Sequence, residues 1–216
     1  MEQGLFIVLE GVDGAGTTTH TRLLSQRLRA LDVRVHATAE PSAGPLGSLL
    51  RLMLTRRVVA TRSGGDSGPP TWNTMALMFA ADRLDHLEGE ILPQLQSGVS
   101  VLCDRYDYSS VAYQSITGGG PEAIAWIREL NRYARRPDLT LVLDVPSEVA
   151  AQRRSSRNGE SEIFDSDALQ IELSAFYKSL ERHFLGESIV HIDAVGSLDE
   201  VADRVLAPVL ALRERS

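Results

Sequence analysis

The chain has a single cysteine, Cys103, in 216 residues. One cysteine excludes an internal disulfide, and no Cys/His cluster has the spacing of a zinc site. Cys103 lies in an apolar run, so it reads as a buried core thiol. No hydrophobic run is long enough to cross a bilayer, and no basic stretch follows Met1 as it does in a secretory signal. These absences predict a cytoplasmic protein that makes no membrane contact. Excess positive charge is also missing, the net charge being −7. That argues against a partner that is a nucleic-acid polymer, which requires a basic surface. It leaves room for a small anionic ligand in a locally positive pocket.

What is present reads as one α/β domain over residues 1–216. The apolar fraction of 43% and charged fraction of 24% suit a folded globular chain. Leu5–Leu9 is a continuous apolar run that ends at Glu10-Gly11, which predicts a strand buried on both faces. A helix is expected over Thr17–Leu31, with Leu24, Leu28 and Leu31 on one face. Further strands are expected at Val33–Thr38, Val99–Cys103, Leu139–Leu143 and Ile189–Ile192. Helices are expected at Leu46–Leu54, Thr71–Gln96 (with a break at Gly89 or Pro93), Pro121–Ala134, Ser147–Arg157, Asp165–Phe184 and Leu198–Arg213. The glycines and prolines of Arg62–Pro70 mark a surface excursion. Strands alternating with helices predict a five-stranded parallel sheet covered on both sides.

Between the first strand and first helix stands Gly11-Val12-Asp13-Gly14-Ala15-Gly16-Thr17-Thr18. This matches the phosphate-binding P-loop in its strand–loop–helix context, so the fold class is the P-loop NTPase fold. Glycines allow backbone N–H groups to face phosphate oxygens, and the helix N-terminus adds a favourable dipole. Gly11, Gly14, Ala15, Gly16, Thr17, Thr18 and Thr19 are the candidate ATP-binding residues. Thr18 stands at the Ser/Thr position that binds Mg²⁺, and Asp104 follows a buried strand where a carboxylate near Mg²⁺ is expected. Thr17 occupies the lysine position, so the loop brings no cation of its own. Taken alone, Phe79 and Tyr113 fit core packing as well as ligand contact, and Arg83 and Arg105 fit surface ion pairs.

The chain resembles the thymidylate kinase family, bacterial type, in several segments in family order. They are Phe6–Gly16, Glu40-Pro41, Leu77–Arg83, Asp104–Ser109 with Ala112-Tyr113-Gln114, and Arg136–Val145. The resemblance implies transfer of the ATP γ-phosphoryl group to dTMP, with Mg²⁺ as cofactor and a homodimer as the assembly. It implies that Asp13 and Arg105 hold the acceptor phosphate and that Phe79 stacks on thymine. Glu40, Arg83, Ser109, Tyr113 and Gln114 would complete the dTMP pocket, and Arg153 would lie against adenine. A lid is implied at about 153–163, with Arg154 or Arg157 as its catalytic arginine, because Gly14 stands at the loop's fourth position. Ala39 and Glu162 stand where bacterial relatives usually carry arginine. Two other readings use the same residues: a nucleotide-binding relative without fast turnover, and a kinase of another nucleoside monophosphate.

Overall fold

The computed structural model describes residues 3–61, 64–156, 163–164 and 166–215. Five strands form one parallel sheet: β1 (Phe6–Glu10), β2 (Val35–Ala39), β5 (Ser100–Asp104), β6 (Leu139–Asp144) and β7 (Ile189–Asp193). Their spatial order is β2-β5-β1-β6-β7, and every neighbouring pair runs parallel, as the alternating pattern predicts. β1 is central and fully buried, with Leu9 opposite Asp104 and Glu10 opposite Val142. Its side chains alternate between the two faces. Ile7 and Leu9 join one core with Leu24, Leu28, Leu102 and Leu141, while Phe6 and Val8 join another with Leu87, Ile91 and Leu95. Cys103 belongs to the second core and is buried, as expected.

The helices are α1 (Thr17–Ala30), α2 (Pro45–Leu54), α3 (Trp72–His86), α4 (Leu92–Gln96), α5 (Asp107–Gln114), α6 (Gly120–Leu130), α7 (Ser147–Ser155), α8 (Asp167–Tyr177) and α9 (Leu198–Arg213). Between α3 and α4 the chain widens into a π-type turn, Leu87–Ile91, which spans the expected break at Gly89. Two short antiparallel strands, β3 (Ala60–Thr61) and β4 (Ser67–Gly68), pair here, β3 just before the predicted excursion and β4 within it. α8 ends at Tyr177, sooner than periodicity predicts, and a short 3₁₀ turn follows at Leu180–Arg182. Ser197 caps α9 reciprocally with Glu200.

Helix α5 has no counterpart in the sequence reading. Its segment Asp-Tyr-Ser-Ser-Val-Ala-Tyr-Gln shows no apolar stripe because seven of its eight residues are buried. Asp107, Tyr108 and Ser110 pair with Arg136, Glu187 and Arg83 instead of water, so the periodic signal of a surface helix is lost.

Leu141 is fully buried in the first core. Leu141→Ala is expected to lower unfolding free energy by about 2–5 kcal/mol. Urea denaturation checks this, and a loss below about 1 kcal/mol would contradict the packing described.

Candidate active site

A cavity of about 540 Å³ opens beyond the carboxyl ends of β1, β2 and β5. This is the usual ligand crevice of an open parallel sheet. Three chain reversals supply most of its wall: the loop after β1, the Glu40-Pro41 turn after β2, and Asp104–Ser110 after β5. Gly14 and Gly16 adopt φ of +90° and +99°, left-handed values that glycine reaches without strain. At Gly14 the need is also steric, because a β-carbon would sit 2.4 Å from the Ala150 carbonyl oxygen of α7.

Arg105 ties these reversals together. Its guanidinium donates to the Gly11 carbonyl at 2.9 Å, to Ser109 Oγ at 3.2 Å and to Asp13 Oδ1 at 2.5 Å. The residue is held at φ +69°, a left-handed conformation costly for a residue with a β-carbon. Such strain persists where surrounding bonds over-determine it. Here the Arg105 amide donates to the Leu9 carbonyl at 2.9 Å, and the side chain is gripped at three points.

Glu10 lies directly beneath. Its carboxyl accepts from Tyr106 N at 2.8 Å, Ser109 N at 3.2 Å, Ser109 Oγ at 2.6 Å and Tyr177 Oη at 2.9 Å. Complete burial outweighs these donors and the nearby Arg105 charge, pushing its pKa up to about 7.

Phe79, Tyr113 and Gln114 form part of the cavity wall. Gln114 Oε1 is buried without a hydrogen-bond partner, and the Tyr113 hydroxyl lies beside Asp13 and Gln170 without an aligned bond. Unmatched buried polar atoms in a cavity mark where a ligand's donors and acceptors fit. Arg83 is 1% exposed and its charge is matched by Glu40, with Nε at 2.9 Å and Nη2 at 2.6 Å from Oε2. Asn131 and Ser110 take two more of its N–H groups, so it forms part of the rigid cavity wall.

Thr18 donates to Asp104 Oδ2, and Asp104 Oδ1 is buried with no partner. A hydroxyl beside a carboxylate with a spare oxygen fits the partial donor set that Mg²⁺ takes from protein, phosphates and water supplying the rest. Among the described residues no three His, Cys, Asp or Glu side chains form a metal cluster.

Fifteen of the expected site residues line this one cavity. Asp13, Gly14, Gly16, Thr17, Thr18 and Thr19 form its floor, and Glu40, Phe79, Arg83, Asp104, Arg105, Ser109, Tyr113, Gln114 and Arg153 form its walls. Gly11 and Ala15 sit behind it and offer carbonyls to Arg105 and Arg153. Arg154 faces away: it pairs with Asp167 at 2.5 Å, donates to the Asp13 carbonyl at 2.9 Å, and borders a smaller cavity of about 200 Å³. Arg157 lies outside the described residues, as does Glu162.

The sequence reading missed Glu10, Arg51, Phe164, Gln170 and Tyr177. Phe164 lines the cavity against Tyr113, with ring centroids 5.1 Å apart. Gln170 and Tyr177 stand seven residues apart on one face of α8, a spacing that marks a shared face but not a polar one.

A family model described as thymidylate kinase matches residues 9–205. A protein named probable thymidylate kinase from Pyrococcus abyssi is 35% identical over 207 residues, covering 96% of each chain. A thymidylate kinase from Desulfotalea psychrophila is 35% identical over 210 residues, covering 97% of this chain and 96% of its own. A thymidylate kinase from Nitrobacter winogradskyi is 34% identical over 222 aligned positions, covering all of this chain and 90% of its own.

Glu10 has a raised pKa, so its contribution to stability is present at acid pH and is lost as pH climbs from 4.5 through about 7. Relative to Glu10→Gln, the wild-type protein is expected to lose on the order of 3 kcal/mol between pH 5 and pH 8. Parallel stability curves for the two proteins in urea titrations would remove this assignment.

Proposed function

The chain belongs to the thymidylate kinase family, and we propose that it divides its cavity between ATP on the P-loop side and dTMP on the Phe79 side, with Arg105 at the junction. The reaction is transfer of the ATP γ-phosphoryl group to dTMP, giving dTDP and ADP. The observation that carries the assignment of sites is Arg105 itself. It is bonded to the phosphate loop at Gly11 and Asp13, yet it lines the same cavity as Gln114 and Phe79.

Phosphoryl transfer asks for alignment and positive charge more than for covalent help. Backbone N–H groups of Gly14–Thr18 receive the ATP phosphates at the N-terminus of α1. Arg105 presents its two remaining N–H groups to the acceptor phosphate, and Asp13 holds the guanidinium in place. Phe79 offers its face to the thymine ring, while Gln114 Oε1 awaits the ring's N3–H donor. Arg153, bonded to the Ala15 and Ala194 carbonyls, meets the donor nucleotide on its adenosine side. Thr18 and Asp104 hold Mg²⁺, which when bound neutralises charge on the phosphates. Arg157 completes the lid as its catalytic arginine, and Arg154 supports the loop from behind through Asp13.

No helix among the described residues is long and apolar enough to cross a membrane; the reading is of a cytoplasmic enzyme. A homodimer is inferred from membership of the family alone.

With ATP and Mg²⁺, dTMP is expected to be phosphorylated faster than dUMP, dCMP, dAMP or dGMP, and Arg105→Ala is expected to lose at least 100-fold in kcat/KM for dTMP. A faster reaction with another acceptor would reassign the pocket. Thr17→Lys restores a cation to the phosphate loop, where two unit charges at about 4 Å interact by roughly 4 kcal/mol at an effective dielectric of about 20. It is therefore expected to lower KM for ATP at least tenfold without changing KM for dTMP; an unchanged KM for ATP would mean that the site is already neutralised.

A further inference from the structure

Gln170 on α8 is 3% exposed and lies 157 residues from Asp13, yet the two are joined twice. Gln170 Oε1 accepts from the Asp13 amide at 3.0 Å, and Gln170 Nε2 donates to Asp13 Oδ2 at 2.8 Å. The same nitrogen donates to the Phe164 carbonyl at 3.0 Å. A carboxamide has one acceptor oxygen and two donor hydrogens, and all three functions are used here. No other neutral side chain of this length offers an acceptor and two donors at one end.

The two oxygens of Asp13 are thereby divided. Oδ2 is taken by Gln170, and Oδ1 is left for Arg105. Phe164, the third partner, packs edge-to-face against Tyr113 in the wall of the acceptor end. We propose that Gln170 is a positioning residue for phosphoryl transfer: it fixes the Asp13 carboxylate so that Arg105 faces the acceptor phosphate, and it ties the segment that returns from the lid to the phosphate loop. This rests on the assignment of Arg105 to the acceptor phosphate made above. Displacements of about 1 Å in such a support cost on the order of 100-fold in rate.

The test uses two variants of the full chain. In Gln170→Leu both bonds to Asp13 are gone. In Gln170→Glu the outcome depends on protonation. The ionised carboxylate repels Asp13 Oδ2, whereas the neutral acid donates to Oδ2 and still accepts from the Asp13 amide. Two carboxyls sharing one proton raise the pKa of one of them, which brings this change into the working range. The titratable and charged groups facing the site among the described residues are Asp13 on the loop, Arg105 after β5, Tyr113 on α5, Glu148 and Arg154 on α7 and Asp167 on α8.

Turnover is measured with ATP, Mg²⁺ and dTMP from pH 5.5 to 8.5, each variant as a ratio to wild type, with melting temperatures alongside. Gln170→Leu is expected to lose at least 30-fold in kcat at every pH, with KM for ATP within threefold of wild type. Gln170→Glu is expected to be as impaired at pH 8.5 and to recover at least tenfold relative to wild type by pH 5.5. A Gln170→Leu kcat within threefold of wild type, or a Gln170→Glu ratio independent of pH, would overturn the proposal. If Gln170→Leu fails to fold, the pH dependence of Gln170→Glu decides alone. Failure of the underlying reading registers separately, as absence of dTDP with the wild-type protein.

Discussion

The contact between Arg105 and the β1 loop is the constraint on which the site depends. It exists because β1 and β5 are direct neighbours in register, so Gly11 and Arg105 leave the sheet side by side. A guanidinium bonded to Gly11, Asp13 and Ser109 at once brings together a loop and a helix start about 90 residues apart. Burial of Glu10 beneath it, with donors from Tyr106, Ser109 and Tyr177, extends the same tie to α8. The strained backbone at Arg105 is the local cost of turning its side chain back across the loop.

Charge is distributed around this tie so that an acidic protein keeps a positive cavity. The chain has a net charge of −7 and a single lysine, Lys178, which caps α8 away from the cavity. Four arginines line the cavity instead. Glu40 answers Arg83 and Asp13 answers Arg105. Arg51 is bonded to the Pro41 and Ser42 carbonyls, and Arg153 to those of Ala15 and Ala194. Carbonyl dipoles hold a guanidinium in place without cancelling its charge. Among the described residues Arg51 and Arg153 therefore keep carbonyl partners only, and the four arginines of the lining outnumber its three carboxylates, Asp13, Glu40 and Asp104, in a fold whose phosphate loop brings no cation of its own.

Much of this was legible in the sequence, and the reasons differ by element. The strands announced themselves because burial on both faces gives continuous apolar runs such as Phe6–Leu9. The phosphate loop was legible because glycine at positions 14 and 16 meets a backbone requirement that few other residues satisfy. Asp104 came from its place at the end of a buried strand, and Arg105 and Gln114 came from resemblance, not from periodicity. Helix α5 was hidden by its own burial, and Gln170 by its distance along the chain from the aspartate it holds. Glu10 was visible as a residue at the end of an apolar run, but nothing local distinguishes a buried carboxyl from a solvated one. Order along the chain alone does not separate Arg153 from Arg154: one lines the larger cavity and the other, about 100° further round the helix, borders the smaller one.

The tight approach of Gly14 to α7 restricts how this chain can supply charge to a transferring phosphate. A β-carbon at position 14 would lie 2.4 Å from the Ala150 oxygen, so even a methyl group there displaces α7. A cation mounted on the loop's fourth position is thus sterically forbidden while α7 keeps its place. Helix α7 and the loop are two parts of one joint, and a change that enlarges either part must move the other.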